Sequence, residues 1–232
     1  MTIGIILSNT PKYLETFFIS KIKGLQKNGY KVILFVNVKH QKFTLCKVKS
    51  APKHNSIFFI LELIRILFLS LIYFRRVINF FHLEKNDGTS NFQVVKKIII
   101  NNQILFSKTD WLHYGFGTQA IGRENLAKVI GAKMAVSFRG FDIAIYPIKN
   151  PGCYNLLWKK IDKVHVISND ILTLAYKKGL PKNIPFKKIN PAIDINLFKS
   201  NTFKNKQSNY WSFITVGRLH WKKGFIDTLK AL

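Results

Sequence analysis

Acidic residues are scarce in this chain of 232 residues. It contains 11 Asp and Glu against 37 Lys and Arg, which gives a formal net charge of +26 at pH 7. No two carboxylates stand at a close spacing typical of acid–base pairs, and no Ser/His/Asp order is present, which argues against the common hydrolases. The positive excess predicts attraction to polyanions such as nucleic acid, anionic lipid or phosphorylated ligands.

Cysteine and long apolar runs are also scarce. Cys46 and Cys153 are far apart in no metal-ligand spacing, so we expect neither a disulfide framework nor a metal site, and a reducing cytosol suits both thiols. The longest charge-free apolar run, Ile66–Phe74, has nine residues, whereas a membrane span needs about 20. The apolar start of the chain lacks a basic segment before it, which favours a first strand over a signal peptide.

The apolar residues present follow an alternation of strands and helices. Hydrophobic residues make up 47% of the chain, enough for a folded core. We predict strands over 2–7, 31–38, 111–114, 133–138, 163–167 and 183–189, and helices over 13–28, 92–106, 118–130, 155–160 and 169–178, with 39–54 irregular. The alternation predicts an α/β fold with a Rossmann-like parallel sheet flanked by helices.

The most apolar segment, 56–83, has three interpretations. It forms one or two core helices, or a basic, aromatic helix that lies against an anionic membrane surface, or a membrane span. The short charge-free run leaves the first two as the main alternatives.

A polar stretch divides the chain. Residues 200–209 carry no hydrophobic periodicity and are predicted to link a first domain, 1–199, to the start of a second, 210–232. In the second we expect a strand over 211–216, a loop over 217–224 and a helix from 225. Because these elements are too few to bury a core, we expect a truncated domain or a tail that docks on the first.

Two candidate site motifs follow predicted strands in the first half of the chain. Glu15 and Thr16 would stand in the first turn of a helix, where they either cap it or contact a ligand. His113 precedes Gly115 and Gly117, so an imidazole would stand beside a backbone that permits close approach. This histidine is either structural or a ligand contact.

Two further motifs combine cations with glycine. Arg139 and Asp142 flank a glycine at a strand end, where arginine suits phosphate recognition, or where the two form a local ion pair. Val216–Phe225 places Arg218 and Lys223 between a strand and a helix, which indicates a diphosphate site. The glycine spacing is not that of a Walker loop.

In order and spacing, these motifs resemble the family-four glycosyltransferases of the GT-B fold that build bacterial surface polysaccharides. The matching segments are Glu15–Phe17, His113 with Phe116–Gly117, Phe138–Asp142, Val166–Ser168, Asn190–Asp194 with Phe198, and Val216–Phe225. The resemblance runs the length of the chain.

That resemblance implies two Rossmann-like domains, the first for a glycan or lipid-linked acceptor and the second for a nucleotide-diphospho-sugar. Transfer would retain the anomeric configuration with no metal or cofactor beyond the donor. Arg218 and Lys223 would neutralise the donor diphosphate, and Glu15 and Thr16 would contact the acceptor. His113, Arg139 and Asp142 would be the catalytic residues, although Arg139 stands where many relatives carry histidine.

The resemblance also predicts what this polypeptide lacks. Leu14 replaces the usual serine of the first motif, and the later pair of donor-binding glutamates is not in the sequence, so we expect the chain alone to be inactive. Charge and segment 56–83 suggest a cytoplasmic protein, peripheral on the inner face of the membrane. The alternatives are a non-catalytic domain that docks on a membrane or partner, and a nucleic-acid-binding protein. The aromatic residues show no base-stacking pattern, so we expect no specific nucleic acid.

Overall fold

The computed structural model describes residues 1–11, 16–39, 43–52, 58–191, 211–217 and 219–231. The chain divides into two compact units, Met1–Asp194 and Ile195–Leu232. The linker predicted over 200–209 lies outside the described residues, so the predicted domain limits stay a prediction.

The first unit is built on one sheet of seven parallel strands. The strands are β1 (Thr2–Asn9), β2 (Lys31–Val38), β3 (Lys47–Ser50), β4 (Trp111–Tyr114), β5 (Lys133–Phe138), β6 (Lys163–Val166) and β7 (Phe186–Lys188). The helices are α1 (Thr16–Lys27), α2 (Phe59–Ile72), α3 (Phe74–Asn86), α4 (Asn91–Leu105), α5 (Leu126–Ile130), α6 (Tyr146–Lys149), α7 (Asn155–Trp158) and α8 (Asn169–Lys177). The predicted Rossmann-like α/β fold is confirmed.

The strand order is β3-β2-β1-β4-β5-β6-β7. The order reverses at β1, where Ile5 is in register with Leu34 of β2 on one side and His113 of β4 on the other. Ligands of open parallel sheets bind at such a reversal, outside the carboxyl ends of the strands. The loops that follow β1, β4 and β5 therefore lie at the edge where a site is expected.

Alternate residues of the strands feed two cores, one on each face of the sheet. Ile6 and Phe35 point into a large core with residues of α3, α4, α5, α7 and α8. Ile5 and Leu34 point to the opposite face, where the core is completed by Phe18 and Ile22 of α1. One face thus receives most of the helices, and the other is packed by α1 near β1 and β2.

Two predicted elements differ in the first unit. Residues 39–54 were expected to be irregular, but Lys47–Ser50 forms β3, which pairs with β2. Its two lysines suit an edge strand, which is held by backbone pairing and often carries charge. The helix predicted over 118–130 is reduced to α5, because Gly122 turns the chain with a φ of 75°. Residues 117–119 form a single 3-10 turn.

The described part of segment 56–83 forms α2 and most of α3, but the core interpretation is wrong for α2. Ile66 is the buried residue of α2, while Leu67 and Phe68 are 66% and 61% exposed. In α3, Phe80 and Glu84 are buried. No helix among the described residues has the length and apolar character needed to cross a membrane.

The second unit is described over 211–217 and 219–231. The strand predicted over 211–216 does not form there; these residues have no regular structure and are exposed. Trp221–Lys223 makes one 3-10 turn, and the predicted helix is α9 (Phe225–Ala231), which has no buried residue in the part described.

Candidate functional site

The loop that follows β4 is packed tightly against the core, beside the loop that follows β5. A Cβ added to Gly115 would lie 2.3 Å from Leu7 Cδ2, and one added to Gly117 would lie 2.3 Å from Phe138 Cε1. Contacts this short are not possible for a real side chain. The two glycines are therefore required by the protein's own packing, whereas the sequence pattern suggested close approach to a ligand.

Asp142 ties these two loops together. Its Oδ1 accepts hydrogen bonds from the backbone N–H of Arg139 at 3.0 Å and of Gly140 at 2.9 Å. Its Oδ2 accepts from the backbone N–H of Gly117 at 3.0 Å, and the residue is 2% exposed. A buried carboxylate with three amide donors is a strong structural anchor. Asp142 therefore holds the loops in position, and its oxygens are turned away from solvent.

Arg139 lies among aromatic rings at the same edge of the sheet. Its guanidinium carbon is 4.1 Å from the ring centre of Phe17, 5.1 Å from that of Phe18 and 5.7 Å from that of Phe116. Its Nε donates to the carbonyl of Gly115 at 3.4 Å. Stacking of this kind fixes the planar cation without neutralising it. Arg139 thus offers a positioned charge for an anionic or hydroxyl-rich ligand.

His113 belongs to a chain of polar side chains that crosses one face of the sheet. Nζ of Lys21 lies 3.1 Å from its Nδ1 and 3.0 Å from its Nε2, and the same Nε2 is 2.7 Å from Ser137 Oγ. Ser137 Oγ is 2.8 Å from His165 Nδ1, and His165 Nε2 is 3.1 Å from the carbonyl oxygen of Ile189. The network thus joins α1 to three adjacent strands.

The carbonyl at one end of this network sets its hydrogen-bond direction. Because the oxygen of Ile189 can only accept, His165 Nε2 carries the proton and its Nδ1 accepts from the Ser137 hydroxyl. Ser137 then accepts from Nε2–H of His113, whose Nδ1 accepts from the amine of Lys21. In this direction of hydrogen bonding each histidine is neutral and carries its single ring proton on Nε2.

The pKa values agree with neutral histidines. Burial, and then the charge of nearby Lys21, holds the pKa of His113 well below its ordinary value. Burial lowers the pKa of His165 to about 4. Burial, followed by the charge of Arg139, lowers the pKa of Lys21 to about 7. Near neutral pH both histidines are therefore neutral, and Lys21 is the member of the network that titrates in this range.

A cavity of about 620 Å³ lies over this network. Another cavity, of about 660 Å³, lies beside α2 and is separate from the network. The cavity over the network runs along the sheet face from Met1 to Arg139, and His113 and His165 line it. The described residues that line it include four cationic side chains, three lysines and one arginine, and no carboxylate. The cations are Lys21, Arg139, Lys163 and Lys187. Such a lining suits an anionic group carried on an apolar or sugar-like body.

The structure brings together some of the predicted site residues. His113 and Arg139 line the same cavity, while Asp142 supports the loop beneath Arg139. Thr16 is the exposed first residue of α1, and Glu15 lies outside the described residues. Among the described residues, no group of three or more His, Cys, Asp or Glu side chains is arranged to hold a metal ion.

The predicted donor residues belong to the second unit. Lys223 is exposed at the end of the 3-10 turn, and its side chain passes over Gly217, where an added Cβ would lie 3.6 Å from Lys223 Cγ. Arg218 lies outside the described residues. The diphosphate role of the two cations stays a prediction.

Three residues of the network were not singled out from the sequence: Lys21, Ser137 and His165. A signal was present, because strands buried on both faces are normally continuous apolar runs. His113, Ser137 and His165 interrupt three such strands at positions that face the same side of the sheet. Polar residues in central parallel strands were therefore the clue to this site.

Comparison with solved structures supports the fold. No protein-family model matches the chain, and no curated protein matches it in sequence. It is similar to HepE of Anabaena in complex with UDP and glucose, with a TM-score of 0.53 and 13% identity over 87% of this chain and 47% of HepE. The HepE complexes with UDP-glucose and with UDP give TM-scores of 0.52 and 0.51, at 13% and 11% identity. They cover 87% of this chain each, and 47% and 46% of HepE.

The fold and the cavity together define an α/β domain of the Rossmann-like class with a cationic, carboxylate-free site among its described residues. The chain spans about half the length of the HepE structures that it matches. At this identity the similarity concerns the fold.

Proposed function

We propose that this chain is the acceptor-side half of a glycosyltransferase that uses a nucleotide-diphospho-sugar. The observation that carries the proposal is the fold shared over 87% of the chain with HepE, which was solved with UDP-glucose. The order of the sequence motifs supports the same assignment. Because the chain spans 47% of HepE, the activity, donor and acceptor of a complete enzyme are all part of the proposal.

The site geometry suits the acceptor side of such an enzyme. Phe17 and Trp111 line the cavity with aromatic rings, and Arg139 stacks on Phe17 with its charge available. Sugar rings stack on aromatic faces through their C–H groups, and a guanidinium binds phosphate or hydroxyl oxygens. An acceptor with both features, such as a sugar on a lipid-linked phosphate, would use both parts of the cavity.

Retention of anomeric configuration, membership of family four and a role in surface polysaccharide synthesis are finer parts of the proposal. An inverting transfer needs a base beside the acceptor hydroxyl. His113 is held neutral with a low pKa and is occupied by Lys21 and Ser137, so it is a poor base. In the retaining transfer that the resemblance implies, the departing diphosphate lies on the same face of the sugar as the acceptor, and we assign removal of the acceptor proton to it.

On the donor side, Arg218 and Lys223 would stabilise the negative charge that develops on the leaving diphosphate. The test is isothermal titration of UDP-glucose and UDP into protein expressed from its natural reading frame. Lys223→Ala should weaken UDP binding at least tenfold, since it removes a charge-assisted hydrogen bond worth about 1.5–3 kcal/mol. The matched control is Lys230→Ala, a lysine of the same unit on α9, which should bind as the unchanged protein does. Equal binding by both variants would contradict the assigned donor site.

A further inference from the structure

Helix α2 presents a continuous apolar stripe to the outside of the first unit. We name it the outer stripe, and it consists of Ile60, Leu61, Ile64, Leu67, Phe68 and Leu71. These residues are 59–69% exposed, and they follow the helical spacing that places them within about one third of the helix circumference. Amphipathic helices of folded domains normally turn this face to the core.

The opposite side of α2 attaches it to the domain. Ile66 is 4% exposed, and Arg65 Nη2 lies 3.4 Å from the side-chain oxygen of Asn102 in α4. The helix is thus docked through a few contacts, and its more apolar side faces away. Six large apolar side chains that are each 59–69% exposed form one patch on the order of several hundred Å². A patch of this size marks an interaction surface.

The patch extends onto the next helix. Phe74 and Ile78 of α3 are 52% and 50% exposed and one helical turn apart. Arg75, between them in sequence, is exposed, and its guanidinium carbon lies 5.9 Å from the Phe74 ring centre. A cation therefore stands beside the apolar surface at this end of α2.

Cations also lie on the domain-facing side of α2, near the middle of the helix. Lys49 and Arg65 line the cavity of about 660 Å³ that runs along the helix. Burial lowers the pKa of Lys49, and the positive charges of Lys47 and Arg65 lower it further. Glu62 pairs with Arg65 at 3.0 Å and offsets part of this charge. These cations are therefore turned toward the domain, whereas the exposed Arg75 stands beside the apolar surface, where it suits a phosphate headgroup.

We propose that the outer stripe docks on the surface of an anionic lipid bilayer, with α2 lying in the plane of the headgroups. The helix has 14 residues, so it is about 21 Å long and lies on a membrane instead of crossing it. Charge favours this occupant over a second copy of the chain, because pairing two copies through this face would bring together two chains of net charge +26. The docking does not depend on the proposed transferase activity.

Co-sedimentation with lipid vesicles tests the docking. Vesicles of phosphatidylcholine are compared with vesicles in which about one third of the lipid is phosphatidylglycerol, at about 0.1 M salt. The variant Leu67→Ser/Phe68→Ser should lower partitioning onto the anionic vesicles by at least about tenfold. The matched control is Ile148→Ser/Leu229→Ser, which changes two residues of similar exposure, 66% and 74%, and should partition as the unchanged chain does.

Arg75→Gln separates the electrostatic part of the docking from the apolar part. It should lower partitioning onto anionic vesicles severalfold and leave the weaker binding to neutral vesicles unchanged. Because all these side chains are exposed, far-ultraviolet circular dichroism should show unchanged folding in each variant.

Three results would overturn the docking. In one, the Leu67→Ser/Phe68→Ser chain partitions as well as the unchanged chain. In another, the unchanged chain binds neutral and anionic vesicles equally or binds neither. In the third, sedimentation velocity shows a dimer that the double substitution dissociates while vesicle binding persists, which would assign the stripe to a second copy of the chain.

Discussion

Replacing Lys21 with methionine should change how the stability of the protein depends on pH. The amine of Lys21 lies in the cavity beside His113, and burial with the charge of Arg139 lowers its pKa from 10.5 to about 7. Below pH 7 this lysine is protonated in both the folded and the unfolded chain, so folding carries the full cost of a buried ammonium. Between pH 7 and 10.5 the folded chain releases the proton and the unfolded chain retains it, so that cost falls as the pH rises.

The magnitude follows from the size of the pKa shift. One pKa unit corresponds to about 1.36 kcal/mol, so the cost reaches at most roughly 5 kcal/mol below pH 7. It then declines by about 1.4 kcal/mol per pH unit up to pH 10. Lys21→Met removes this dependence, although it also leaves Nδ1 of His113 without its donor, at a cost of about 1–3 kcal/mol. The change of the free energy of unfolding with pH is therefore a clearer test than the absolute difference in free energy between the two chains.

The measurement is urea unfolding of the unchanged and Lys21→Met chains at several pH values from 6 to 9.5. The free energy of unfolding of the unchanged chain should rise relative to the variant above pH 7. The control is Lys23→Met on the same helix, an exposed lysine, for which the difference from the unchanged chain should not vary with pH. Parallel curves for all three chains would refute a buried, proton-releasing Lys21.

Two further predictions concern the loops at the carboxyl edge of the sheet. Gly115→Ala should lower the free energy of unfolding by about 1–3 kcal/mol in urea, because its Cβ would meet Leu7 at 2.3 Å. Gly24→Ala in α1 has open space and should raise it by about 0.5–1 kcal/mol; a loss in both would contradict the packing explanation. Asp142→Asn should lower the free energy of unfolding in the same assay by about 1–3 kcal/mol, since an amide has one acceptor oxygen for three N–H donors. An unchanged value would show that the carboxylate does not anchor the loops.

The central strands could be predicted from the sequence with little error. Lys31–Val38, Trp111–Tyr114 and Lys133–Phe138 form β2, β4 and β5 with the predicted limits. Each is a short apolar run bounded by polar or turn residues, so its pattern has one interpretation. Lys47–Ser50 was missed because its strand character comes from backbone pairing with β2, which leaves no apolar pattern in the sequence.

The surface of α2 could not be predicted from periodicity alone. The segment is apolar on most sides, so its sequence does not show which side meets the protein. Three-dimensional packing decides that Ile66 faces inward and that Leu67 and Phe68 face outward.

The candidate site was predictable in part. Arg139 and Asp142 were identified because they follow a strand within four residues of each other. One interpretation of the sequence was an ion pair between their side chains. In the structure the carboxylate accepts from the backbone N–H of Arg139, and the guanidinium stacks on Phe17. The contact of Lys21 with His113 joins residues 92 positions apart, which requires the register of α1 against β4 and is not visible in a linear pattern.

Sugar transfer is the most direct test of the proposed function. The protein tested is the complete enzyme of which this chain is proposed to be the acceptor-side half, expressed from its natural gene. It is incubated with radiolabelled UDP-glucose and other nucleotide sugars, with lipid-linked and soluble glycans as acceptors. Label should appear in an acceptor glycan, at a level that Arg139→Ala lowers, and the product should keep the anomeric configuration of the donor. Absence of transfer from every nucleotide sugar, together with no binding of UDP, would contradict the assignment to glycosyltransferases.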